Sequence, residues 1–159
     1  MTKVILTREQ QRAQHALQSV TDVQKLVQKL LATAGSNEKE QKKAKKFREE
    51  YESCAKSLPA NIVMNGLGQA CAMLLAQAKG KSADQDAHRL LYDHLQDWIR
   101  GRDNAAVYPN DQDLVKAVIN HGQGEYVRAQ FESLAYLNWL KKFAQAYLTE
   151  EEKQHGEAK

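Results

Sequence analysis

A chain of 159 residues with 42% apolar and 27% charged side chains is long enough for one domain. A domain of that size buries roughly two-thirds of its unfolded surface, so it needs no covalent or metal staples. The net charge of +3, from 23 basic and 20 acidic residues, is too small an excess to establish a nucleic-acid partner; only the placement of the cations can argue for one. Cys54 and Cys71 have neither metal nor redox spacing and lie among apolar residues, so both are expected to be reduced, and buried. Val4-Ile5-Leu6 is too short for a signal-peptide core, and no apolar run has the length of a bilayer span; a cytoplasmic location is the expectation.

Ala, Gln, Leu, Lys and Glu dominate and favour helix. Thr7 and Gln10 form a capping-box pattern that opens a first helix. Its apolar face runs through Ala13, Ala16, Leu17, Val20, Val23, Val27, Leu30 and Ala34, and Gly35 stops it. Asn37 and Glu40 open a second helix with Ala44, Phe47, Tyr51, Cys54, Ala55 and Leu58 on one side. Pro59 is expected to end it, because proline disfavours helix in the residue before it. The short link between the two helices predicts an antiparallel hairpin.

A third helix is expected from Pro59 to about Lys79, apolar nearly all round and therefore central. Gly66 and Gly68 inside it each cost about 1 kcal/mol against alanine, which close approach by another helix would offset. Ser82 and Gln85 are expected to cap a fourth helix with Ala87, Leu90, Leu91, Leu95, Trp98 and Ile99, ending at Gly101. Asn110 and Asp113 open a short fifth helix with Leu114, Val115, Val118 and Ile119, closed by Gly122. Gly122-Gln123-Gly124 reads as a turn. The sixth helix runs from about Glu125 to Leu148, with Tyr126, Ala129, Leu134, Leu137, Leu140, Ala144, Tyr147 and Leu148 on one stripe and Val127, Phe131, Ala135, Trp139 and Phe143 widening it toward a second neighbour. The expected fold is all-α: a compact single-domain bundle of about six helices over residues 1–148, with residues 149–159 as a flexible tail.

Catalysis needs a nucleophile with a base, a metal cluster or a phosphate cradle. The five histidines make no His-Glu-x-x-His and no di-iron Glu-x-x-His pattern. Asn65-Gly66-Leu67-Gly68 lacks the strand and the lysine of a phosphate loop. Asp84 and His88 lie one turn apart, and the weakest of three functional readings is a metal-dependent hydrolase around Asp84, His88 and Asp97. The expectation is no enzyme, no metal and no cofactor.

The densest charge is Lys42, Lys43, Lys45, Lys46 and Arg48, five cations in seven residues. Flanking Glu38, Glu40, Glu49, Glu50 and Glu52 nearly cancel it, so these residues alone read first as a solvated helix face. Lys79/Lys81, Arg100/Arg102 and Lys141/Lys142 are further basic pairs, and Arg8 and Arg12 lie one turn apart on the first helix. Scattered cations of this kind suit phosphate contacts that are blind to base identity.

The segment Leu58-Pro59 … Ile62 … Asn65-Gly66-Leu67-Gly68-Gln69, followed by Ala87 … Leu91-Tyr92 … Leu95 … Trp98-Ile99 and by Glu132 … Ala135 … Leu137-Asn138-Trp139-Leu140-Lys141-Lys142-Phe143-Ala144, resembles the small α-helical subunit of the type III-B CRISPR effector, the Cmr complex. Arg8 … Gln11-Arg12-Ala13 fits the same pattern, and the likeness covers about residues 7 to 148. Val63-Met64 departs from it, since family members often carry a basic residue just before the asparagine. The resemblance implies a non-catalytic structural subunit in antiviral defence. Copies would stack along a backbone of RNA-binding RAMP proteins, meet the polymerase-like large subunit, and help hold guide (crRNA) and target RNA. Arg8, Arg12, Lys42, Lys43, Lys45, Lys46, Arg48, Lys141 and Lys142 become candidate RNA contacts. Asn65, Gly66, Leu67, Gly68, Trp98 and Trp139 become structural motif residues. The alternative is an unrelated all-α adaptor that binds another protein.

Overall fold

A computed structural model describes residues 2–101, 106–110 and 112–149. Six helices occupy the described residues: α1 Arg8–Ala34, α2 Glu38–Asn65, α3 Leu67–Ala78, α4 Ala87–Ile99, α5 Leu114–Asn120 and α6 Gln123–Leu148. The all-α expectation is met. The tail from residue 150 onward lies outside the described residues, as does Arg102.

Helix α1 begins as its capping box requires. Thr7 Oγ1 accepts from Gln10 N at 3.1 Å, and Gln10 Oε1 accepts from Thr7 N at 2.8 Å. Ala16, Val20, Val23 and Val27 are buried along one face. Leu17 is not, being 40% exposed, because it falls one position off that stripe. Gly35 turns the chain with φ 54, and Asn37 caps α2 by accepting from Lys39 N and Glu40 N. Helices α1 and α2 pack together as the expected hairpin, and α6 packs on both.

Pro59 does not end α2; the helix continues through it to Asn65 and breaks at Gly66. Proline in a helix interior loses one ladder bond and strains the preceding turn, by about 3 kcal/mol. Leu58 and Ile62, 1% and 0% exposed, stay on the buried face only if the helix runs on, and burying each is worth roughly 1.5–3 kcal/mol. The break comes where φ is 86 and ψ is 159, a region open essentially to glycine alone.

Helix α3 is therefore shorter than the sequence suggests, but it holds the expected central place. Leu67, Ala70, Cys71, Leu74 and Ala78 are buried, and the helix packs on α2, α4, α5 and α6. The close approaches expected at its glycines are present. A Cβ on Gly68 would lie 3.3 Å from Val118 of α5, and one on Gly66 would lie 2.6 Å from the Tyr126 hydroxyl of α6.

Three further boundaries differ. Ser82 and Gln85 bond to each other, but they close a turn; Asp86 caps α4 by accepting from Arg89 N. Asp113 precedes α5 without capping it, because its carboxylate accepts the Tyr92 hydroxyl instead. Gln123 and Gly124 belong to α6, not to a turn. The widened side of α6 is also incomplete: Ala129, Ser133, Tyr136, Leu137, Leu140, Ala144 and Leu148 are buried, while Val127 and Phe131 are 59% and 70% exposed.

Candidate nucleic-acid interface

The candidate cations fall into three groups. The first lies where α1 meets α6. Arg12 forks onto Glu132, with Nε to Oε1 and Nη2 to Oε2 both at 2.8 Å, and its Nη1 reaches Glu9 at 2.9 Å. Arg8 sits 3.6 Å from Glu132 and stacks its guanidinium 4.3 Å above the Trp98 ring. Trp98 Nε1 donates to Glu132 at 3.0 Å, and the indole stacks on Tyr136. Burial pushes the Glu132 carboxyl up, but the Arg12 and Trp98 hydrogen bonds and the two guanidinium charges outweigh it and hold the group below its ordinary value. The hydrogen bonds that Arg12 donates to Glu132 lead the effects that raise Arg12. Only 13% of the Arg12 side chain is exposed. This pair of arginines fastens the first turn of α1 to α6.

The second group is the cluster on α2, and the helix distributes it. Ala44 and Phe47 face the core. At 100° per residue, Lys43, Lys46 and Glu50 fall along one flank, Lys42 and Lys45 on the outer side, and Arg48 on the opposite flank, about 160° from Lys46. Lys43 pairs with Glu40 at 3.1 Å and Lys46 with Glu50 at 3.6 Å. That flank borders a cleft of about 790 Å³ between the α1–α2 turn and the α3–α4 turn, whose far wall carries Lys79 and Lys81. Four lysines from two elements thus share one concave surface, together with the carboxylates Glu40, Glu50, Asp84 and Asp86. The sequence offered Lys79/Lys81 only as one basic pair among several, because nothing local says that the α3–α4 turn comes up beside α2.

The third group, Lys141 and Lys142, lies on α6, with Lys142 exposed and Lys141 half-buried. They do not line the lysine cleft. Trp139, beside them, is half-buried; its Nε1 donates to Glu9 at 2.7 Å and its ring stacks on Phe143. Glu9 is held below its ordinary value, first by that indole hydrogen bond and then by Arg12.

The motif residues meet around the α2–α3 break. Leu67 is fully buried, and its N–H donates to Gln130 Oε1 of α6 at 3.1 Å. Asn65 closes α2 and is exposed. The segment is a helix break packed against α6, without phosphate-loop geometry.

Asp84, His88 and Asp97 are not brought together. Asp97 accepts from His15 Nε2 at 2.7 Å, His88 Nδ1 lies 3.2 Å from Asp86, and Asp84 accepts from Ser82. His94, the next histidine on α4, is instead half-buried against Tyr51, 2.6 Å from its hydroxyl, and the desolvation pushes it down to about 4. Both thiols are pushed up to about 12, chiefly by burial, so they are inert at neutral pH. No helix of the described residues is long and apolar enough to cross a membrane.

The comparisons agree with the geometry. A crystal structure of a CRISPR-associated Cmr5 family protein from Thermus thermophilus superposes with a TM-score of 0.60 at 27% identity, covering 91% of this chain and 100% of that one. The family model of the CRISPR-associated protein Cas_Cmr5 matches residues 8–147, which spans every helix except the last residue of α6. The chain belongs to the Cmr5 family, and so to the small structural subunits of the type III-B Cmr effector that associate with the other subunits of that complex.

Proposed function

We propose that this subunit is a non-catalytic, cytoplasmic part of the Cmr effector that stacks in copies beside the RAMP backbone, reaches the polymerase-like subunit, and holds guide and target RNA by contacts blind to sequence. The observation that carries the RNA part is the cleft in which Lys43 and Lys46 of α2 face Lys79 and Lys81 of the α3–α4 turn. Lysine ammonium groups are point charges that meet phosphate oxygens without reading bases. Each copy contributes a few weak contacts, and repetition along one RNA multiplies them. Exposed Val127 and Phe131, one turn apart on α6, and Val63 and Met64 at the end of α2 supply apolar surface for protein neighbours.

The test is RNA retention by the assembled complex. Replacing Lys43, Lys46, Lys79 and Lys81 with alanine should weaken retention and flatten its dependence on salt, since each lost phosphate contact removes roughly 0.7 from the log–log slope for a single strand. Equal retention and an equal slope, with the subunit still incorporated, would remove the cleft from the RNA path.

A further inference from the structure

Glu50 of α2 and Asp86 and His88 at the start of α4 each offer one donor atom within 4.8 Å of the other two. We propose that these three residues form a binding site for a first-row divalent cation of the zinc type. The donor set is mixed, one imidazole and two carboxylates, which suits such ions better than it suits magnesium or calcium, whose preferred ligands are all oxygen.

The set is held by the fold. Asp86 is fixed as the cap of α4, accepting from Arg89 N at 3.1 Å, and it also lies 3.2 Å from His88 Nδ1. In the metal-free chain the carboxylate accepts, so Nδ1 carries the proton, and a bound cation takes the place of that proton between Nδ1 and Asp86. The 3.2 Å between Nδ1 and Oδ1 is close to the roughly 3.3 Å that separates two ligands of one tetrahedral ion with bonds near 2.0–2.1 Å. Both bonds to Asp86 fall on Oδ1, so the backbone bond from Arg89 holds that oxygen in place beside His88. Glu50 reaches in from the other helix.

Access is provided independently of the side-chain set. Two clefts, of about 470 and 790 Å³, are both bordered by Glu50 and His88, and Asp86 borders the larger. The three side chains are all half-buried, so water can complete the coordination shell. Metal–ligand distances near 2.0–2.2 Å require the donors to close by roughly 1 Å, within the reach of rotamer adjustment. The competitor is Lys46, 3.6 Å from Glu50, which a bound cation must displace.

The experiment is calorimetric titration of zinc into the chelator-treated, untagged full chain, beside Glu50→Gln/His88→Gln and Lys46→Ala. One zinc per chain is expected, with a melting temperature raised by roughly 5–10 °C at a hundredfold excess over Kd. The double variant should lose more than about tenfold in affinity, and Lys46→Ala should bind more tightly. Cobalt in place of zinc should give visible absorption of low-coordinate nitrogen and oxygen ligation, absent from the double variant. No saturable binding would overturn the assignment. The same holds if metal-free melting shows the double variant folded and its zinc affinity unchanged.

Discussion

Replacing Glu132 with glutamine tests whether the fold depends on one carboxylate. In the native protein it accepts the Arg12 fork at 2.8 Å twice and the Trp98 indole at 3.0 Å, with Arg8 at 3.6 Å. Glutamine keeps the shape and one acceptor oxygen but not the charge. Truncating one partner of a fully buried pair costs about 3–5 kcal/mol. Here 13% of Arg12 and 12% of Glu132 remain exposed, and Arg12 keeps Glu9, so about 2–3 kcal/mol is expected after allowing for solvent screening. In urea that appears as a lower midpoint at unchanged slope, and on heating as a fall of roughly 4–12 °C. The sign against pH is fixed. The folded pKa of Glu132 lies below the unfolded value near about 4.3, so its contribution is complete above that value and is lost as pH falls through the folded pKa. In an Arg12→Met background the same substitution should cost at least about 1 kcal/mol less, because the partner is gone. A loss below about 0.5 kcal/mol, or strict additivity of the two substitutions, would refute the role assigned to this carboxylate.

The two tryptophans should separate. Trp98, 8% exposed and stacked on Tyr136, should lose about 3–5 kcal/mol on replacement by alanine, whereas half-buried Trp139 should lose about 1–2 kcal/mol; denaturant titration of both decides it. Gly66→Ala should cost about 1–3 kcal/mol, because φ 86 and ψ 159 are closed to a side chain and the new methyl meets Tyr126; an unchanged midpoint would mean that the break moves elsewhere. His94, pushed down to about 4 by burial, binds its proton more readily unfolded, so stability should fall as pH drops from about 6.5 toward 4, by up to about 3 kcal/mol. Stability profiles of His94→Gln should lack that slope.

The fold was legible where a single helix sets its own terms. Thr7-Gln10, Gly35 and Asn37 are local devices, and the α1 stripe of Ala16, Val20, Val23 and Val27 needs no knowledge of its partner. What depended on tertiary contact was not legible. Pro59 reads as a stop because propensity is local, yet Leu58 and Ile62 hold the helix through it by burial in the core. Phe131 reads as interior from its type and spacing, yet among the described residues it stays 70% exposed; a stripe on one helix does not say where the neighbouring helix stops. The candidate site follows the same rule. The α2 lysines were visible as a run, but which of them share a surface depends on where helix geometry turns each one and on the α3–α4 turn arriving alongside. Glu132 stood inside a recognisable segment without announcing that it joins both arginines to Trp98.

The division between arginines and lysines yields the last prediction. Arg12 forks onto Glu132 and Arg8 lays its planar guanidinium over Trp98 beside the same carboxylate, contacts for which a lysine ammonium cannot substitute. The cleft of Lys43, Lys46, Lys79 and Lys81 makes no such geometric demand, because phosphate contacts blind to sequence require charge at roughly the right place. Charge-preserving exchange should therefore have opposite effects at the two places. Arg12→Lys should destabilise the subunit by about 1–2 kcal/mol through loss of the fork and leave RNA retention by the folded complex unchanged. Lys43→Arg with Lys46→Arg should leave stability within about 0.5 kcal/mol and preserve retention that alanine at the same positions lowers. Parallel melting and retention measurements on the two variants decide it. If Arg12→Lys lowered RNA retention at full stability, the α1–α6 cluster would be a nucleic-acid contact and its ion pairs would be secondary. If the arginine-for-lysine exchange abolished retention, the lysines would be acting through geometry, and a sequence-blind charge track would be the wrong description of that cleft.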